Sequence, residues 1–180
     1  MMNDRPLNQE TTMIRMTACL LVLLVSVSAA AQAPLPATDV KADAIQAFIN
    51  KLPRDAVSDL PIRVADVGGY KVGVYGVFRP KASRQDAIVH DTKVTEVYYM
   101  LDGAATLITG GTLVEPRPPQ AGITGASTRA ARIEGGVSRR VTKGDVVIIP
   151  GHTPHWWTNL EGDISYMIIR PDPEGKQTLK

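Results

Sequence analysis

Between Pro61 and Arg170 the chain breaks into short β-type runs punctuated by Gly, Pro and Asp. Residues 62–67 alternate, and 70–78 alternate again after Gly68-Gly69. Residues 94–101, 104–108, 137–141, 145–149 and 164–170 complete the set. A period of two places side chains of one kind on one face of a strand. Many short strands separated by turn residues predict an all-β sandwich or barrel. One stretch breaks the rhythm: residues 109–132 are rich in Gly, Pro, Ser, Thr and Ala, and read as a long loop that either covers the barrel mouth or is a solvated insertion.

The N-terminal third is organised differently. Residues 16–33 form an apolar run preceded by Arg15 and ending in Ala31-Gln32-Ala33, a small-x-small cleavage site, so residues 1–33 read as a secretory signal peptide. Asp4 and Glu10 suit such a leader poorly, which points to translation starting at Met13 or Met16. Residues 34–60 are expected to form a Pro-rich linker and a helix over 39–52. Ile45, Phe48, Ile49 and Leu52 fall at helical spacing there, Thr38 is the expected N-cap, and Pro53 lies beyond the end. The barrel is expected over 61–172 and a tail over 173–180.

Cleavage after Ala33 leaves 147 residues without Cys19, the chain's single cysteine, so disulfides and thiolate ligands are excluded from the mature protein. The destination is periplasmic or secreted, with no membrane attachment after cleavage. A net charge of +2, with no long basic run, gives no argument for nucleic acid. No phosphate-cradling Gly-rich loop opens a helix, and there is no Gly-x-Ser-x-Gly nucleophile elbow.

All three histidines lie in two short segments. His90 opens the first, which continues to Glu96 and Gly103; His152 and His155 lie in the second, which runs from Gly144 to Asn159. Imidazole is the commonest metal-binding side chain, and two imidazoles with a carboxylate leave positions free for water, dioxygen or substrate. If the segments pair as neighbouring strands, His90, Glu96 and His155 converge on one point. His155, Trp157 and Asn159 share one strand parity, as do Glu96, Tyr98 and Met100. Trp156 is expected to face outward, onto a partner or the helical arm.

These residues resemble the cupin superfamily. Its first motif is roughly Gly-x5-His-x-His-x3,4-Glu-x6-Gly, matched at His90, Glu96 and Gly103. Its second is roughly Gly-x5-Pro-x-Gly-x2-His-x3-Asn, matched at Gly144, Pro150, His155 and Asn159. Three positions depart: Arg84 for the leading glycine, Thr92 for the second histidine, and His152 for the second motif's glycine. The resemblance implies a small double-stranded β-helix (jelly-roll) barrel with a short N-terminal helical arm, a homodimer, and a divalent transition metal (Fe, Mn, Zn, Ni or Cu) in the barrel mouth. The ligands would be His90, Glu96 and His155. His152 and Tyr98 are the candidate catalytic groups, with His152 also readable as a turn residue at positive φ. Thr92, Met100 and Trp157 are the candidate pocket residues. Three functions stay open: a small-molecule metalloenzyme of dioxygenase or isomerase type, a non-catalytic binder of a sugar or aromatic acid, and an interaction protein with a vestigial site.

Overall fold

The computed structural model describes residues 34–180; the expected signal peptide and start codon lie outside the described residues. One helix, α1 (Ala42–Asn50), precedes β1 (Ser58–Asp66), β2 (Lys71–Arg79), β3 (Ala87–His90), β4 (Glu96–Asp102), β5 (Ala104–Thr109) and β6 (Thr112–Val114). Then follow β7 (Gln120–Gly122), β8 (Gly125–Ala130), β9 (Arg132–Glu134), β10 (Val137–Thr142), β11 (Val146–Ile149), β12 (His155–Thr158) and β13 (Ile164–Asp172). The strands form a five-stranded antiparallel sheet, β1-β2-β13-β4-β11, a six-stranded one, β10-β5-β12-β3-β8-β7, and the hairpin β6-β9. This is the expected double-stranded β-helix.

The core lies between the two large sheets. Tyr75, Val77, Tyr98, Met100, Tyr166 and Ile168 from one meet Ala105, Leu107, Val141 and Trp157 from the other in a single buried cluster. Strand β13 shows why: Ile164, Tyr166, Ile168, Arg170 and Asp172 are buried in strict alternation. Its first three inward positions fill the core. Its last two put charge inside, and that end of the barrel becomes the site. The turn between β4 and β5 needs Gly103, whose φ is 81° and whose Cβ, if it had one, would lie 2.4 Å from the Asp163 carbonyl oxygen.

Four expectations are corrected. The helix is shorter than 39–52, and it begins after Lys41, with no side-chain cap, rather than after Thr38. Its apolar face, Ile45, Phe48 and Ile49, packs with Leu52 on Phe78 and Leu101, so the arm lies on the barrel. The 109–132 stretch is not a loop: it carries β6, β7 and β8, and β8 pairs with β3 through Ala87↔Ala130 to His90↔Ser127. Sheet hydrogen bonds, which composition does not reveal, organise these small polar residues. Trp156 lies on the outer face of β12, opposite Trp157, but is covered by Ala87, Ala130 and Ile133 rather than by the helical arm, and it donates its Nε1–H to the Gln85 carbonyl at 2.8 Å.

The barrel also extends beyond 61–172. Strand β1 starts at Ser58, and residues after Asp172 close the structure: the buried Gln177 accepts from the Tyr75 hydroxyl at 2.8 Å and donates to the Arg170 carbonyl at 3.1 Å. Lys180 exchanges backbone hydrogen bonds with Val64. Among the described residues no helix is long and apolar enough to cross a membrane.

Candidate metal centre

Strand β3 ends at His90, a turn crosses from one sheet to the other, and β4 begins at Glu96. Strand β12 begins at His155, which sits opposite Ile88 of β3 and Thr109 of β5. Both imidazoles therefore come from the six-stranded sheet. The carboxylate comes from the five-stranded one, where Glu96, Tyr98 and Met100 take the buried positions. One ligand atom from each of His90, Glu96 and His155 lies within 4.8 Å of the others. His90 Nε2 is 3.7 Å from Glu96 Oε1, and His155 Nε2 is 3.3 Å from Glu96 Oε2.

The protonation states follow from the surroundings. Burial pushes His90 down to about 4, outweighing the pull of Glu96, and it lowers His155 in the same way. Burial alone would raise Glu96, but Arg170, ahead of the two histidines, holds its carboxyl down at about 2. Near neutral pH the centre thus holds two neutral rings and one carboxylate. His155 Nδ1 lies 3.0 Å from the Thr153 carbonyl, which only accepts, so Nδ1 carries the proton and Nε2 presents a bare lone pair. That lone pair faces an ionised carboxylate oxygen across 3.3 Å with no hydrogen between them. Two acceptors in this position repel, and a cation between them removes the conflict. This donor set fits a divalent transition metal, with the Thr153 carbonyl fixing the ring in the manner usual for metal-bound histidine.

Glu96 is not a free carboxylate. Arg170 donates Nε to Glu96 Oε1 at 2.7 Å and grips Asp59 with both terminal nitrogens, at 2.9 and 2.6 Å. The Tyr98 hydroxyl donates to Glu96 Oε2 at 3.0 Å. Burial raises Tyr98 well above the ordinary tyrosine value, so its proton stays on and stays committed to Glu96. Tyr98 therefore orients the carboxylate. His90 Nδ1 lies 3.2 Å from Thr124 Oγ1, a contact supplied by the stretch that reads as a loop.

These groups sit in the wall of a cavity of about 590 Å³, within the range that holds small-molecule ligands. His90, Glu96, His155 and Tyr98 line it; Thr92, Met100, Trp157 and His152 do not. Met100 and Trp157 are core residues, 0% and 1% exposed. The Thr92 side chain is buried, with its methyl beside Gly125 and its hydroxyl unpartnered. His152 stands on an exposed turn with φ of 59°, where the family pattern has glycine, and its nearest acid is Asp91 at 3.7 Å. Asn159 also takes a positive φ, 48°, and is exposed just past the end of β12. Both motif positions thus shape turns around the site.

Sheet order, the meeting of both motif segments at one end of the barrel, and the positive-φ turns at Gly103 and Gly144 settle the architecture. The fold is the cupin fold. Solved structures with cupin-type barrels are similar to it at low identity. DMSP lyase DddQ from Ruegeria pomeroyi matches at 15% identity over 78% of this chain and 77% of its own, with a TM-score of 0.45. Ectoine synthase from P. lautus matches at 11% over 78% and 81%, with a TM-score of 0.46. An RmlC-like cupin from Methanocaldococcus jannaschii matches at 13% over 69% and 90%, with a TM-score of 0.41. No family model matches the sequence, and no curated protein matches it.

Arg170, Asp59 and Thr124 are absent from the sequence expectations. Arg170 had a visible signal: it continues the Ile164, Tyr166, Ile168 parity, which places a charge where the core should be. Asp59 and Thr124 had none, because they reach the cavity from residues outside both motifs.

Proposed function

We propose that this cupin is an exported metal-dependent enzyme acting on a small molecule, with a divalent transition metal held by His90, Glu96 and His155. The observation that supports it is the bare His155 Nε2 lone pair facing the ionised Glu96 across 3.3 Å. Bound there, such an ion supplies Lewis acidity, and redox-active metals add the electron transfer that dioxygenase-type reactions require. The chain's own residues do the rest. Arg170 and Tyr98 hold Glu96 in one orientation, the Thr153 carbonyl holds His155 in one tautomer, and Ile88 and Leu60 add apolar surface to the cavity wall. Dioxygenase and isomerase chemistry are the two reaction types this donor set suits.

The test is metal content by mass spectrometry of the purified protein, beside His155→Ala and His90→Ala. Near one equivalent in the wild type, lost in both variants, is the expected result. Equal metal in all three proteins overturns the reading. Export is tested separately: protein recovered from the periplasm should begin at Pro34, and an N-terminus that retains residues 16–33 contradicts it.

A second reading has its own observation. Arg170 already neutralises Glu96, so the barrel can stand without an ion and serve as a non-catalytic ligand binder. Chelator-treated protein that keeps both its melting temperature and its small-molecule affinity favours the binder.

A further inference from the structure

Three carboxylates line the cavity, and each already has a guanidinium. Asp59 and Glu96 share Arg170, while Asp86 pairs with Arg84 and Arg117. Arg79 lines the same cavity without a carboxylate among the described residues. It is held by neutral groups: its Nε donates to the Tyr166 hydroxyl at 2.7 Å and its Nη1 to Gln85 Oε1 at 2.8 Å. Tyr166 is fixed in turn by the Trp157 Nε1–H at 3.1 Å. Nη2 has no protein partner among the described residues and is not enclosed, since the one enclosed, unpartnered side-chain polar atom there is Thr92 Oγ1. Nη2 is thus free to donate to a bound molecule. Arg129 also lines the cavity and also lacks an ion pair among the described residues.

A half-buried cation held rigidly by neutral partners costs free energy that a passing surface arginine does not. With Nε and Nη1 already engaged, its remaining Nη2 N–H groups offer a charge-assisted hydrogen bond to a carboxylate oxygen. One amino group without a protein partner, in a cavity whose lining includes a second guanidinium, matches a singly charged carboxylate. A phosphate dianion would meet three carboxylates in the same cavity lining, Asp59, Asp86 and Glu96. We infer that the cavity takes a small carboxylate-bearing molecule whose carboxylate is received by Arg79, with its remaining end turned toward His90 and His155. This deepens the metal-enzyme proposal and rests on it for the bound molecule's role as substrate.

The experiment is isothermal titration of butyrate, succinate and benzoate, each beside its own amide, and of inorganic phosphate. Zinc-loaded and chelator-stripped wild type are compared with Arg79→Gln and Arg79→Lys. The acids are expected to bind about tenfold or more tighter than their amides. Arg79→Gln should bring the acids down to the amide level, Arg79→Lys should fall between, and zinc content should stay at the wild-type value in both. Acids and amides bound alike, phosphate bound better than every carboxylate, or acid binding untouched by Arg79→Gln each overturns the inference. If Arg79→Gln does not fold, the acid–amide comparison in the wild type and the Arg79→Lys titration decide. Zinc uptake with an acid preference that survives Arg79→Gln removes this inference and leaves the metal centre. No zinc uptake with an Arg79-dependent acid preference in stripped protein removes the metal centre and leaves the anion site.

Discussion

The two sheets bring opposite chemistry to the same cavity. The six-stranded sheet contributes His90 and His155, kept neutral by burial. The five-stranded sheet contributes Asp59, Glu96 and Arg170, an ion cluster in which Arg170 is 1% exposed and Glu96 equally so. The neutral side can lose a member and still fold, because a ring replaced by a smaller apolar group leaves no uncompensated charge. The charged side cannot, because each member is the counter-ion of another. The two imidazole ligands therefore sit on the sheet that tolerates their loss, while the carboxylate ligand Glu96 belongs to the ion cluster that holds the other sheet, and mutation separates the two roles.

The largest effect is expected at Arg170. Arg170→Leu leaves Asp59 and Glu96 facing each other without a cation, and should destabilise the protein by about 3–5 kcal/mol in urea unfolding. If it costs no more than a surface substitution, the charged sheet is not the structural one. Acid should act on both sheets in the metal-free protein. The folded-state values of His90 (about 4) and Glu96 (about 2) lie below their ordinary values of 6.5 and 4.5. The unfolded chain thus binds more protons across this window, and stability falls as pH falls. The His90 share is complete above pH 6.5 and is lost on the way down to about 4, and the Glu96 share follows between 4.5 and about 2. The loss for His90 is on the order of 3 kcal/mol, read from urea midpoints at stepped pH. A flat midpoint between pH 7 and 4 contradicts the neutral imidazole.

Tyr98→Phe sharpens the boundary between the sheets, because it frees Glu96 Oε2 without touching Arg170. It should weaken metal binding by about 10–100-fold, as loss of a partner that orients a ligand does, and lower stability by about 1–2 kcal/mol. The smallest effect belongs to His152→Gly. Relief of the positive-φ backbone should gain about 0.5 kcal/mol, with metal content unchanged. Loss of metal in that variant would return His152 to the site from which its exposed turn removes it.

Much of this was legible in the chain because short-range pattern carried it. Alternation in residues 62–67 and 70–78 predicts strands that exist, and the two motif segments predict the residues that meet. The failures have one physical cause: sheet pairing is long-range. Residues 109–132 look structureless because their many Gly, Pro and Ala residues have weak strand preference, yet β8 is held by its pairing with β3. Met100 and Trp157 share strand parity with ligands but face the packed centre of the barrel rather than its mouth. Parity assigns a face, and only the position along the strand assigns core or cavity. Thr92 fails for a related reason: the turn that carries it folds against Gly125 and Gly151, so the place of the family's second histidine is buried outside the cavity.

The central claim is that an ion belongs between the neutral rings and Glu96. The direct measurement is an anomalous difference map from crystals of the protein soaked in manganese or zinc and recorded at the metal's absorption edge. The account predicts one dominant peak bounded by His90 Nε2, His155 Nε2 and Glu96, with Arg170 still gripping Asp59. No peak there, or a dominant peak at the exposed His152–Asp91 pair, would contradict it.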